Sequence, residues 1–217
     1  MLKKGLFITF EGGEGAGKSS LIAAIAKLFE SKGITVRCTR EPGGTPLGES
    51  IRRLLLESKE NVLIDSTAEL FLFLASRSQH LEEVILPSIE NGWVVLCDRF
   101  NDSTIAYQGS ARGLGVEYVQ KLCQLACHGR EPDMTLLLDV PVEVGLKRTR
   151  AAHKENAAEG MVDRIESEAM TFHQKVRDAL LMRAKQDPQR CVIIDASQSQ
   201  EAVLKSAISS LSDRYNV

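Results

Sequence analysis

The run Gly12-Gly13-Glu14-Gly15-Ala16-Gly17-Lys18-Ser19 carries the most legible chemistry in this chain. It spells G-x-x-x-x-G-K-[ST], a loop whose backbone N–H groups turn inward around phosphate oxygens. Glycines permit the backbone angles that such a turn needs, and the N-terminus of a following helix adds about half a unit of positive charge. In that geometry Lys18 can bridge the β- and γ-phosphates of a nucleotide, Ser19 offers its hydroxyl to Mg²⁺, and the cradle runs on into Ser20. The alternative is a glycine-rich turn that matches by chance. The context argues against it, because apolar Leu6 to Phe10 reads as a strand before the loop. After it, Leu21, Ile22, Ile25, Leu28 and Phe29 recur at helical spacing, with Gly33 placed to cap the helix.

A second constellation lies at Trp93-Val94-Val95-Leu96-Cys97-Asp98-Arg99. An apolar strand that ends in a carboxylate can bring Asp98 to the water shell of the metal beside the first strand. A helix-capping aspartate is the alternative. Arg99 next to it suits a bidentate grip on a second phosphate. Further basic residues stand apart at Arg40, Arg77 and Lys147-Arg148-Arg150, a distribution that suits two phosphorylated substrates. The guanine-reading Asn-Lys-x-Asp of a switch GTPase is absent, and no second nucleotide motif indicates a tandem motor.

Short β-rich runs alternating with helical patterns are needed to position these groups, and they predict a parallel sheet covered by helices on both faces. The strands are expected at Leu6 to Phe10, Thr35 to Thr39, Trp93 to Cys97, Thr135 to Leu138 and Cys191 to Ile194, each buried on both faces. Ser66 and Glu69 have the spacing of a capping box for a helix through Leu70, Phe71, Phe73 and Leu74 that stops near Pro87. Phe73 and Arg77 fall on one face of it. Further helices are expected over Glu117 to Cys127, Val142 to Arg150, Ser167 to Lys185 and Glu201 to Leu211. Ala151 to Gly160 lacks apolar periodicity and reads as a surface loop within a lid of about residues 147–163.

With 217 residues, 43% of them hydrophobic, the chain suffices for one domain over residues 1–217. Its 27 basic and 29 acidic residues and pI near 6.1 give no general attraction to nucleic acid or to an anionic membrane. No run approaches the roughly 20 apolar residues of a membrane span, and no signal peptide is evident. Five cysteines without framework spacing fit reduced thiols in a cytoplasm. Cys123 and Cys127 lie one helical turn apart, beside His128, and read as core packing because no second ligand pair faces them.

Taken in order, Phe10-Glu11-Gly12, the phosphate loop, Arg40-Glu41-Pro42-Gly43-Gly44-Thr45, Asp98-Arg99-Phe100, Ser103-Thr104, Ala106-Tyr107-Gln108-Gly109 and Asp163-Arg164-Ile165-Glu166 resemble the thymidylate kinases over nearly the whole chain. The resemblance implies a five-stranded nucleoside-monophosphate-kinase fold with a lid. It also implies transfer of the γ-phosphate of ATP to dTMP, giving dTDP for dTTP synthesis, with Mg²⁺ and a cytoplasmic homodimer. By the same resemblance Phe73 stacks on thymine, Arg77 donates to a thymine carbonyl, and Ser103, Thr104 and Gln108 read the imide edge. Tyr107 crowds the 2′ position of the sugar, Glu14 faces the acceptor sugar hydroxyl, and Arg99 binds the acceptor phosphate, flanked by Arg40 and Glu41.

The chain departs from the family pattern in three places. Gly15 stands where some members carry a loop arginine, so the compensating charge is expected from the lid. There Arg148 would stack on adenine and Arg150 would reach the transferred phosphoryl group. Ala152 replaces a further arginine, leaving His153 and Lys154 as weaker candidates than Arg150, whose planar fork fits phosphoryl oxygens better. Phe100 replaces a tyrosine. Two rival readings stay open at this level: a kinase for another nucleotide acceptor, and a regulatory ATPase whose turnover needs no acceptor.

Overall fold

The computed structural model describes residues 5–56, 63–155 and 164–215. Five strands, β1 (Leu6–Glu11), β2 (Val36–Arg40), β3 (Val94–Asp98), β4 (Met134–Asp139) and β5 (Cys191–Asp195), form one parallel sheet in the order β2-β3-β1-β4-β5. The chain leaves β1 in both directions, so the crevice for a ligand opens beyond its C-terminal end. Register levels the strand ends there, with Phe10 and Arg40 both opposite Asp98.

Alternation along the strands sorts the core. Ile8, Phe10, Val94 and Leu96 face α1 (Lys18–Ser31) and α9 (Gln200–Tyr215), where Ile25, Phe29, Ala207 and Leu211 complete one layer. Phe7, Val95 and Cys97 point to the opposite face and meet Leu81, Ile85 and Phe100. This is the period-two signature of a sheet covered on both sides. The expected burial of all five strands is corrected at the edges: Arg37, Cys38 and Arg40 of β2 and Ile193 of β5 are exposed.

Helices α2 (Pro46–Leu56), α3 (Ser66–His80), α4 (Leu86–Glu90), α5 (Asn101–Thr104), α6 (Val116–Ala126), α7 (Val142–Glu155) and α8 (Met170–Gln186) complete the layers. Three sequence expectations change here. Asp65, not Ser66, caps α3, its carboxylate accepting from the N–H groups of Thr67 and Ala68. The Glu69 side chain therefore takes no part in a capping box and turns inward. Pro87 does not stop the helix, because a π-helical turn at Leu81–Ile85 leads into α4 with the proline in its first turn, where a missing N–H costs little. Residues 151–155, expected as loop, extend α7; the remainder of the expected lid up to 163 lies outside the described residues. The five cysteines are all free, with Cys123 and Cys127 packed in the core. Among the described residues no helix is long and apolar enough to cross a membrane.

Candidate active site

The glycine loop lies between β1 and α1, as its spelling requires. Gly12, Gly15 and Gly17 take positive φ values of 146°, 65° and 91°, angles closed to most side chains. Gly15 has a second constraint: a Cβ there would lie 2.0 Å from the carbonyl oxygen of Gly145, in the first turn of α7. That close backbone packing leaves no room for a side chain at position 15, the expected reason for glycine there, and it brings α7 against the phosphate loop. Lys18 is buried, its Nζ donating to the carbonyls of Gly12 (3.2 Å) and Gly13 (3.0 Å). Burial and the charge of Arg99 push its pKa down, opposed by Asp98, Glu14 and Glu11.

The loop borders a cleft of about 1000 Å³ lined by Gly15 to Ser20, Arg40, Asp98, Arg148, Thr149, Ala152 and the segment 198–201. Ser19 donates to Asp98 Oδ2 at 3.3 Å, while Asp98 Oδ1 is buried with no hydrogen-bond partner among the described residues. A hydroxyl and an orphaned carboxylate oxygen side by side are hard donors of the kind Mg²⁺ takes, so these two residues fit that ion. Arg148 lies along the cleft and donates to the Ala196 carbonyl at 2.9 Å. Arg150 is exposed and is not among the residues lining the cleft. Residues two apart on a helix point about 200° apart, so the continued helix separates the two arginines that the sequence had grouped in one site.

A smaller pocket opens beside the cleft, lined by Phe73, Arg77, Ser103, Thr104, Tyr107, Gln108, Pro42, Leu56 and Ile165. It gathers every residue assigned to the acceptor base by resemblance. Arg77 is 1% exposed, which excludes a solvated helix charge. Its Nε donates to Glu41 Oε2 at 2.6 Å and its Nη2 to Thr104 Oγ1 at 2.8 Å. Glu41 also takes His80 Nδ1 at 2.9 Å. Burial alone would raise the Glu41 pKa, but Arg77 and His80 hold it below the ordinary carboxylate range. Glu41, His80 and Cys97 approach within 4.8 Å of one another, yet both Glu41 oxygens are already taken, one by Arg77 and one by His80, within the protein's own hydrogen bonds. The turn after Glu41 is fixed by the hydrogen bonds of Gly43 N to Ser76 Oγ and Gly44 N to Glu49 Oε1.

Glu14, Glu41, Arg52 and Arg99 line both cavities and mark where they meet. Arg99 holds that junction in a left-handed conformation, φ 70°, that is uncommon for a residue with a long side chain. Its guanidinium donates to Glu14 Oε1 (2.6 Å), the Gly12 carbonyl (3.1 Å) and Ser103 Oγ (3.1 Å), and lies over the Tyr107 ring. Tyr107 donates its hydroxyl to the same Glu14 oxygen at 2.9 Å. Burial opposes charge on Glu14, but Arg99, Lys18 and Tyr107 outweigh it and hold the pKa at about 2. Arg40, expected beside the acceptor phosphate, lies on the cleft rim and pairs with Glu49 at 3.0 Å.

Two contributors escaped the sequence reading. Arg52 comes from α2, a helix that was not anticipated, and donates to the Pro42 carbonyl at 2.9 Å. Glu11, quoted only as part of a motif, accepts from the Phe100 N–H (2.8 Å) and the Ser103 hydroxyl (2.5 Å), tying the root of the phosphate loop to the turn that carries Arg99. Burial, then the charge of Asp102, raises its pKa to about 7 against the hydrogen bonds and Arg99. The folded protein therefore keeps a proton that the unfolded chain releases near 4.5, and this group makes stability fall as pH rises from about 4.5 through 7. In Glu11→Gln the amide oxygen can still accept from the Phe100 N–H and the NH₂ can donate to the Ser103 hydroxyl oxygen, so the variant should fold and lose that slope. Denaturant unfolding at pH 5, 6, 7 and 8 checks it, and an unchanged slope in the variant refutes the assignment.

The family model described as "Thymidylate kinase" matches residues 10–207. A curated thymidylate kinase of Protochlamydia amoebophila is 53% identical over 213 residues, 98% of this chain and 95% of the relative. One from Halalkalibacterium halodurans is 44% identical over 216 residues, covering 100% of both. Among solved structures, thymidylate kinase from Ehrlichia chaffeensis superposes with a TM-score of 0.76 at 34% identity, over 95% of this chain and 98% of that one.

Proposed function

From the premise that this chain belongs to the thymidylate kinase family, we propose how its site performs ATP-dependent phosphorylation of dTMP to dTDP. One observation carries the reading: a phosphate-binding cleft and a pocket of base-sized, mixed aromatic and polar character meet at Arg99 and Glu14. Donor phosphates belong on the glycine loop and Lys18. The base belongs against Phe73 and Arg77, with its imide edge towards Thr104 and Gln108. Tyr107 and Glu14 then face the sugar, and Arg99 receives the acceptor phosphate. Ser19 and Asp98 would hold Mg²⁺, which when bound neutralises charge on the donor phosphates. The acceptor is already a phosphate oxygen nucleophile, so no covalent intermediate is needed, and the protein supplies alignment and charge.

We propose further that residues 1–217 act as one kinase domain with a lid at about 147–163, in the cytoplasm and as a homodimer. Within the lid, Arg150 is assigned to the transferred phosphoryl group and Arg148 to adenine. Arg150→Ala should then lower kcat about 100-fold, on the order of 2.7 kcal/mol of barrier. Steady-state assay of Arg148→Ala and Arg150→Ala side by side tests this. Near-normal turnover of the Arg150 variant would transfer the role to Arg148, which already lines the cleft.

The experiment that tests the whole reading is ADP release from ATP and Mg²⁺ with dTMP, dUMP, UMP, CMP, AMP or GMP offered singly, beside a reaction without acceptor. Turnover strongly favouring dTMP is expected. Preference for another nucleotide, or turnover with none, overturns the acceptor assignment.

A further inference from the structure

Glu69, whose spacing from Ser66 suggested a capping box, occupies a different environment from the one that spacing implies. It is 1% exposed and lies behind the acceptor pocket without lining it. Its carboxylate is ringed by donors: Gln108 Nε2 at 2.8 Å and Arg112 Nε at 3.3 Å on Oε1, and Arg112 Nη2 at 3.4 Å and Arg164 Nη2 on Oε2. The two arginines are themselves held. Arg112 donates to Glu168 at 2.5 Å and lies over the Phe172 ring, and Arg164 donates to the Leu55 carbonyl at 3.1 Å. Burial opposes charge on Glu69, but the hydrogen bonds from Gln108 and Arg164 and the charges of both arginines hold its pKa below the ordinary range.

An ionised carboxylate can only accept hydrogen bonds. Gln108 must therefore turn its NH₂ towards Glu69, which fixes the plane of the amide and leaves its carbonyl oxygen as the acceptor available at the pocket that Gln108 lines. We propose that Glu69 determines pyrimidine selectivity by locking the Gln108 amide with its carbonyl towards the base. A carbonyl accepts the N3–H of thymine, whereas cytosine offers a lone pair at N3 and is repelled. The Arg164 of the Asp163-Arg164-Ile165-Glu166 run acquires a role here, since with Arg112 it keeps Glu69 charged and fixed. This inference rests on the placement of the base in that pocket.

In Glu69→Gln the partner of Gln108 can donate or accept, so the Gln108 amide is free to turn over. The preference for dTMP over dCMP in kcat/KM should drop at least tenfold, with KM for dTMP rising by a larger factor than kcat falls. Gln108→Leu is the companion variant, and it should lower the same preference by removing the carbonyl. If Gln108→Leu lowers the preference and a folded Glu69→Gln drops it less than tenfold, the locking role is overturned and the pocket assignment stands. If neither variant changes the preference, the base does not lie against Gln108 and both readings fall.

A Glu69→Gln protein that does not fold leaves the decision to the unmodified enzyme. The ¹⁵N-labelled Gln108 side-chain amide, assigned by its loss in Gln108→Leu, should exchange slowly with solvent and keep its shift when dTMP is added. A large shift on dTMP binding, showing the NH₂ donating to the base, would overturn the proposal.

Discussion

Lys18→Ala is expected to reduce phosphoryl transfer by about 10³-fold while leaving dTMP binding within threefold of the unaltered protein. The asymmetry follows from the two cavities. Lys18 lines the cleft of the phosphate loop and is absent from the lining of the acceptor pocket. Its Nζ is held by the carbonyls of Gly12 and Gly13, in the loop that cradles the donor. Charge that develops on the transferred group needs a donor already in place, and removing one such donor costs on the order of 10²–10³ in rate, about 2.7–4 kcal/mol. The higher end is expected here because Lys18 is buried, where water cannot replace it. Single-turnover transfer with bound ATP, together with dTMP titration by calorimetry, measures both quantities. Loss of dTMP binding along with transfer would show instead that Lys18 supports the fold of the loop. In that case the carboxylates of Asp98, Glu14 and Glu11, whose charges oppose the fall in the Lys18 pKa, would be the groups that lose a counter-charge.

How far the sequence carried depended on the distance over which each feature is determined. The strand, glycine loop and helix around Lys18 were legible because each part is set by its immediate neighbours. Phe73 and Arg77 were legible as a pair because four residues make one helical turn, and both do line the acceptor pocket. Glu69 was misread for the converse reason. A capping carboxylate and an inward-turned one share the same local spacing, and the decision is made by Gln108, Arg112 and Arg164, which lie 39, 43 and 95 residues away. Arg52 was legible only through α2, whose Pro46 start and buried Ile51 and Leu55 four residues apart mark an amphipathic helix that puts Arg52 on a different face. The phase of α7 could not be read while the segment after Arg150 was taken for a loop, so Arg148 and Arg150 were placed together. Gly15 had a reason that no single sequence discloses, the backbone of Gly145 packed against it.

Arg99→Ala should lower kcat/KM for dTMP by about 10³ while changing ATP affinity less than threefold, because the acceptor phosphate is assigned to its guanidinium, which Glu14 and Ser103 hold where the two cavities meet. The same substitution removes the largest counter-charge on Glu14, whose pKa of about 2 should then rise. In the unaltered protein this depressed carboxylate contributes stability that is complete above about pH 4.5 and is lost as pH falls through 2; without Arg99 the loss should begin at higher pH. Arg99→Gly separates side chain from backbone. Both variants lack the guanidinium and should be equally slow, but at φ 70° glycine escapes a left-handed penalty of about 1 kcal/mol that alanine keeps. The glycine variant should therefore unfold at higher denaturant concentration than the alanine variant. Equal stability of the two would mean that the turn relaxes once the side chain is gone, and that the hydrogen bonds of Arg99, not the bond from its N–H to Phe10 O, hold it left-handed. Recovery of dTMP turnover in either variant would remove Arg99 from the acceptor phosphate and leave Arg52, the other arginine shared by the two cavities, to bind it.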